Sequence, residues 1–340
     1  MDRSRLAELL ERRGEPSYRA RQAVEAQLAG AGGWGDVTAW PRALRGAAAA
    51  ELPFWSLGAL GRSRSRDGTV KWALEGEDGA RVEAVLIAHA GGRRTVCLSS
   101  QAGCALACRF CATGALGPGR NLSRWEILDQ ALLAAAEAAR QGARLANVVF
   151  MGMGEPLQNL DEVLGACDAI TAPDGLGCSP RHVAISTVGW VPGIARLARH
   201  PLPVRLAVSL HAADDATRTA LMPLNARYPI ASLLAACRRY SDTTGRRVFV
   251  EYLLLDGVND RVADARRLAP LLRDGNFHVN LIEYNPTLGG FRASPPARRA
   301  AFSRALAAAG IRASLRRSRG ADIDAACGQL ALRQQAGAAA

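Results

Sequence analysis

The stretch CLSSQAGCALACRFCATG, residues 97–114, holds four of the chain's eight cysteines. Three of them, Cys104, Cys108 and Cys111, form a C-x3-C-x2-C array, and Cys97 stands seven residues before it. Three thiolates on one loop cannot complete a structural zinc site or a fully ligated four-iron cluster, because each needs four protein ligands. One coordination position is left open, as a catalytic metal centre leaves one for a substrate. Two other readings stay open at this point: a zinc site completed by a distant His or Cys, and incidental core cysteines. Phe110, directly before Cys111, is a hydrophobic shield that favours iron–sulfur. A second chemical motif, MGMGEP at 151–156, combines a glycine turn with the carboxylate of Glu155, and its plainer reading is an ordinary strand-to-helix turn.

Placing such a loop takes a scaffold, and the chain has the pattern for one. The first eighty residues read as short helices: RSRLAELLERRGE, YRARQAVEAQLAG and WPRALRGAAAAEL. Beyond them, β-branched apolar runs alternate with helical stretches, at 82–88, 94–100, 147–152, 182–187, 204–210, 247–255 and 278–284. Counted from the cysteine loop, six strands each precede a helical segment, which predicts an α/β fold with a parallel sheet. Six strands are too few for a closed eight-stranded barrel, so a partial (β/α)6 barrel is expected, with its site at the C-terminal ends of the strands. The cysteine array follows strand 94–100 and falls at that end.

The chain of 340 residues carries 43 basic against 31 acidic residues, a net charge of +12. A polyanion is therefore the first partner to consider, nucleic acid ahead of an anionic membrane. An arginine-rich composition inherited from a GC-rich genome is the alternative. Basic segments lie at 61–68, 238–247, in FRASPPARRA and at 312–320. Aromatic residues make up only 5%, which argues against extensive base stacking, although Trp34, Trp40 and Trp55 are available for it. No run of eighteen apolar residues occurs, and the charged N-terminal helix has no apolar signal region, so a cytoplasmic location without a membrane span is expected. In a reducing compartment, clustered cysteines point to metal binding or catalysis rather than structural disulfides.

The C-x3-C-x2-C array with its aromatic residue resembles the signature of radical S-adenosylmethionine (SAM) enzymes. Together with GRNLSRWEI, VVFMGMGEPLQN, ISTVGWVPGI, LAVSLHA, VEYLLLDGVND, NLIEYNP and DIDAACGQL, taken in order over residues 75 to 332, it resembles the RlmN/Cfr family of RNA adenosine methyltransferases. The resemblance implies a [4Fe–4S] cluster on Cys104, Cys108 and Cys111, and SAM, used twice per turnover, bound by Gly154, Glu155, Ser186, Ser209, Leu210, His211 and Asn285. It further implies that Cys327 carries the methyl group as S-methylcysteine, that Cys97 resolves the covalent intermediate through a transient disulfide with Cys327, and that Glu83 is the base. His211 alone would equally well be a structural histidine. Cys167, Cys178 and Cys237 have no such context and are read as core or incidental.

By the same resemblance, residues 1–75 would be an N-terminal helical RNA-contacting domain. Residues 76–332 would be the radical SAM methyltransferase domain with a C-terminal catalytic-cysteine segment, and 333–340 a frayed tail. The segment RGADIDAACGQL resembles the RlmN branch more closely than the Cfr branch, which implies 2-methyladenosine as the product, in 23S rRNA at the peptidyl-transferase centre and in the tRNA anticodon loop. The Cfr branch instead methylates carbon 8 and confers antibiotic resistance. An electron donor such as flavodoxin or ferredoxin is implied, and a monomer is expected. Two rivals are a radical SAM enzyme acting on a protein or small metabolite, which would not need Cys97 and Cys327, and a zinc-containing nucleic-acid-binding protein. The segment GALGPGRNL departs from the family in lacking an aromatic residue before its arginine.

Overall fold

The computed structural model describes residues 1–172, 175–287, 289–316 and 318–330. The tail 333–340, expected to fray, lies outside them, as does Arg317 of the basic segment 312–320. The helices Arg3–Arg12, Tyr18–Leu28 and Arg42–Glu51 form where the sequence predicts them. The first is capped by Asp2, whose carboxylate accepts from the N–H groups of Ser4 and Arg5 at 2.9 and 3.1 Å, and it buries Leu6, Leu9 and Leu10 at helical spacing. Trp34 stacks on Trp40 at 5.2 Å and meets Phe54 edge-on at 5.1 Å. Both tryptophans are buried, so they build this core and offer no face to a nucleic-acid base, contrary to the expectation from sequence.

The strands are β1 (Leu57–Arg64), β2 (Val70–Gly76), β3 (Arg81–Ala88), β4 (Arg94–Cys97), β5 (Gln101–Ala102), β6 (Arg120–Asn121), β7 (Leu145–Phe150), β8 (Val183–Thr187), β9 (Arg205–Ser209), β10 (Val248–Leu254), β11 (Phe277–Glu283) and β12 (Ala313–Arg316). Ten of them form one sheet in the order β1-β2-β3-β4-β7-β8-β9-β10-β11-β12. From β4 to β11 the pairing is parallel throughout. Helices including Arg124–Arg140, Leu160–Thr171, Ile230–Thr244 and Val262–Leu272 make the crossovers, and Pro296–Ala308 follows β11. These are the six βα units of a partial barrel. Three strands of this sheet go beyond the sequence reading: β1 and β2 pair antiparallel ahead of β3, and β12 adds a parallel neighbour to β11.

Alternation along the strands divides core from cavity. Val183 and Ile185, Leu206 and Val208, and Val248 and Val250 are fully buried, each burial stabilising the fold by roughly 1.5–3 kcal/mol. The intervening residues, Ser186, Ser209 and Glu251 among them, line a cavity of about 640 Å³.

Candidate active site

The connection between β4 and the helix Arg124–Arg140 carries the three cysteines. Its base is clipped by the β5–β6 pair, which approaches so closely that a Cβ on Gly119 would lie 1.3 Å from the Ala102 carbonyl oxygen. Asn159 spans both ends of the connection, its Nδ2 donating to the carbonyls of Ser100 and Leu122 at 2.8 Å each. The loop tip is tied to the short helix Asp215–Leu221 after β9 by the Arg109 N–H, which donates to the Leu221 carbonyl at 3.0 Å. Cys104, Cys108 and Cys111 all border the cavity. Burial, and then Cys111 and Glu155, push the Cys104 thiol up to about 11; burial, Cys111 and Cys104 push Cys108 higher still. Such mutually opposed thiols are deprotonated by a bound metal centre.

Gly154 sits opposite this loop with φ +98°, where a Cβ would lie 2.5 Å from the Cβ of Gln101, so both conformation and space demand glycine. The next residue, Glu155, accepts from the Leu157 N–H at 3.0 Å and the Val188 N–H at 2.8 Å. It forms no ion pair among the described residues, and burial pushes its carboxyl up to about 7 against those hydrogen bonds. Ser186, Ser209 and His211 border the same cavity. His211 has φ +56°, and its Nδ1 accepts from the Leu253 N–H at 3.0 Å, which leaves the ring proton on Nε2. Burial, then Arg218, pulls its pKa down to about 3, so the ring is neutral. Phe110 packs edge-on against that ring at 4.8 Å. Leu210 and Asn285 are buried but are not brought to the cavity wall with the others.

The sequence reading missed Arg218. It is 1% exposed, and it donates to the carbonyls of Val188, Ser209 and Leu210 at 2.7, 3.0 and 3.2 Å and to Asn225 Oδ1 at 2.8 Å. It thereby fastens together the C-terminal ends of β8 and β9, the ends that face the cysteine loop.

Cys327 reaches the cavity on a strap that crosses from β12 to the cysteine loop. One end is held to the β1–β2 turn, where the Ser65 hydroxyl donates to Asp322 at 2.6 Å and the Gly320 N–H to Asp67 at 3.1 Å. The other end is held by the Ala112 N–H donating to the Gly328 carbonyl at 2.8 Å and the Thr113 hydroxyl to the Leu330 carbonyl at 2.7 Å. The thiol is enclosed by the cavity walls yet open to the solvent space within them. It lies close enough to Cys97 for its charge to be felt there: burial, then Cys327, pushes Cys97 up to about 12. Burial, then Glu251 and Cys111, pushes Cys327 up to about 11. Both cysteines are free thiols, so the disulfide the resemblance implies is absent here.

Glu83 is not on the cavity wall. It is 2% exposed and ion-paired with Lys71 at 3.0 Å, on the face of β3 that also presents Val85, the register partner of Cys97. Lys71 Nζ also donates to the Asp324 carbonyl at 3.2 Å, joining Glu83 to the strap. Lys71 is the chain's one lysine among 43 basic residues, a signal the sequence reading passed over. Cys167, Cys178 and Cys237 are buried away from the cavity. Among the described residues no helix is long and apolar enough to cross a membrane.

Residues 98–269 match the Radical SAM superfamily. The chain is 49% identical over 334 residues to the "Probable dual-specificity RNA methyltransferase RlmN" of Moorella thermoacetica, covering 96% of this chain and 94% of that protein. It is 47% identical over 334 residues to the "Dual-specificity RNA methyltransferase RlmN" of Anaeromyxobacter sp., with 96% and 88% covered. It superposes on the crystal structure of a radical SAM methyltransferase from Sphaerobacter thermophilus with a TM-score of 0.90 at 46% identity, 96% of each chain being covered. A cavity bordered by three loop cysteines and two further thiols, in a chain this similar to those proteins from end to end, belongs to the RlmN family of radical SAM methyltransferases.

Proposed function

We propose that this enzyme methylates carbon 2 of an adenosine in 23S rRNA and of an adenosine in the tRNA anticodon loop, with Cys327 as methyl carrier and Cys97 as resolving thiol. The observation that carries this reading is that Cys97 and Cys327, from opposite ends of the barrel sequence, border the same cavity as the three-cysteine loop.

The donor set fits the cofactors. No three His, Cys, Asp or Glu side chains among the described residues converge on a single-ion site. Three soft thiolates bordering an open cavity suit an iron–sulfur cluster with one iron free. Cys104, Cys108 and Cys111 would hold the [4Fe–4S] cluster. Gly154, Glu155, Ser186, Ser209 and His211 would border SAM, with Leu210 and Asn285 supporting that wall from behind. With both bound, they supply one-electron cleavage of SAM and a hydrogen-abstracting radical, one SAM serving as methyl donor and a second as radical source.

The chain's own groups do the rest. The buried Glu155 carboxylate lacks a cation, and the ammonium of SAM provides one. The Cys327 thiolate accepts the methyl group by displacement. Once that carbon is joined to the adenine ring, Glu83 would take the ring proton; it lies behind the cavity wall on the Cys97 face of the sheet, so reaching the base requires Lys71 and the strap to move aside. Cys97 then attacks the Cys327 sulfur, forming the disulfide and releasing the methylated base; a reductant restores the two thiols. Arg93, Arg205 and Arg319 border the cavity and would contact phosphates, giving salt-sensitive binding. The unstacked adenosine would enter between them. The division expected at 75/76 falls inside β2, whose Lys71 serves the site, so we assign the helices ahead of β1 to RNA contact and the sheet with its strap to the chemistry, in a cytoplasmic monomer supplied with electrons by flavodoxin or ferredoxin.

The test is nucleoside mass spectrometry of unmethylated 23S rRNA and tRNA after anaerobic incubation with cluster-loaded protein, SAM and reductant. The expected product is 2-methyladenosine, lost in Cys327→Ala and Cys97→Ala. Formation of 8-methyladenosine alone, or SAM cleavage without RNA methylation, overturns the assignment.

A further inference from the structure

Glu251 lies on the cavity-facing side of β10, 3% exposed, and none of the roles above uses it. Its Oε1 accepts from Asn280 Nδ2 at 2.8 Å. Asn280 is oriented in turn by the Ser314 hydroxyl, which donates to Asn280 Oδ1 at 3.1 Å, and Ser314 by His278 at 2.9 Å. Side chains from β10, β11 and β12 thus fix one oxygen of the carboxylate. The other, Oε2, is buried with no hydrogen-bond partner. An unpartnered carboxylate oxygen in an enclosed site is costly unless something arrives to donate to it. Glu251 borders the same cavity as the Cys327 thiol on the strap, close enough for its charge to act on that thiol, and Arg316 on β12 lies 3.7 Å from Oε1. Of these, a thiol in the cavity is the one with a proton to give.

We propose that Glu251 is the general base of the methyl-loading step, its Oε2 taking the proton of the Cys327 thiol as the sulfur attacks the methyl group of SAM. This rests on the reading of Cys327 as methyl carrier. The bond from the Cys327 sulfur to the methyl carbon forms. The bond from that carbon to the sulfonium breaks, its electron pair staying on the sulfur of S-adenosylhomocysteine, and Glu251 ends protonated until the cavity water takes the proton. No oxidant or reductant takes part. Two electrostatic features agree with it: a thiol pushed up to about 11 is a poor nucleophile without a base, and burial raises the Glu251 carboxyl toward the range of an effective one.

The sign of one substitution separates a base from a bystander. A carboxylate that merely sits nearby raises the thiol's pKa, so removing its charge would free thiolate and speed alkylation. Removing a base slows it. Cluster-loaded, reduced, full-length protein is treated with iodoacetamide at neutral pH, and modification of Cys327 is followed by peptide mass spectrometry. Glu251→Gln keeps the oxygen that accepts from Asn280, and its Cys327 is expected to react about 100-fold more slowly, as is its methylation by SAM. Equal or faster alkylation overturns the proposal. Glu251→Asp, with the carboxylate drawn back by one methylene, provides the second variant. Its Cys327 is slowed less than in the Gln protein, and an unchanged or faster rate overturns the proposal even if the Gln protein does not fold. Wild-type protein that alkylates at Cys327 but takes no methyl from SAM refutes the carrier reading instead, a result distinct from either.

Discussion

Replacing Lys71 by Met removes one half of a pair in which the ammonium is 6% exposed and the carboxylate 2%, 3.0 Å apart. The Glu83 charge would then stay buried without the Lys71 ammonium, a change that costs about 3–5 kcal/mol. The Asp324 carbonyl also loses the donor that ties the strap to the sheet, worth about 1 kcal/mol. At the few degrees per kcal/mol usual for chains of this size, the midpoint of thermal unfolding should fall by about 6–15 °C. The double variant Lys71→Met/Glu83→Leu should recover most of that loss, because two apolar side chains of similar volume carry no desolvation penalty. Circular dichroism melts of the wild type, both single variants and the double variant complete the cycle. A single variant within about 1 kcal/mol of wild type, or a double variant less stable than either single, would show that the pair is not a buried, interdependent unit.

Two further outcomes follow from the same site. Because burial raises Glu155 from 4.5 to about 7, the ligand-free folded protein holds a proton between those values that the unfolded chain has released, so stability falls as pH rises through that window; a denaturant series from pH 4.5 to 7 should show the slope in wild type and a shallower one in Glu155→Gln. Replacing Asp322 by Ala removes the acceptor for the Ser65 hydroxyl and the Arg66 N–H, and hydrogen exchange should quicken in the strap amides around 320–328 while the barrel strands keep their protection. Equal acceleration in the barrel would mean that the strap is not a separately tethered unit.

The six βα units were legible because each parallel strand is covered on its helix side and reads as an apolar, β-branched run, such as VFVEYLL in β10. The remaining strands hide their character. β1 (LGALGRSR) is mostly exposed and mixes glycine with arginine, so it read as a basic segment. β12 (ASLR), a four-residue edge strand with largely exposed residues, was concealed by its arginines in the same way. At the site, the cysteine loop and the MGMGEP turn announce themselves through local spacing. Arg218 and Glu251 could not, because one arginine among 43 basic residues, or one glutamate in a strand, acquires its meaning only from burial and from partners on other elements. The tryptophans misled for the same reason: composition counts aromatic residues and cannot say which way they face.

The strap also sets an order of assembly. Neighbours in the ten-stranded sheet follow the order of the chain, so the sheet can grow by short closures. The strap's anchors do not: Ser65 meets Asp322 across 257 positions and Thr113 meets Leu330 across 217. Closures that long are entropically costly until the intervening chain is compact. The barrel is therefore expected to form first and the strap to dock last, completing the cavity only then. The cysteine loop is most open to delivery of iron and sulfide in the interval before that docking, and Cys327 meets Cys97 only in a chain that has already folded.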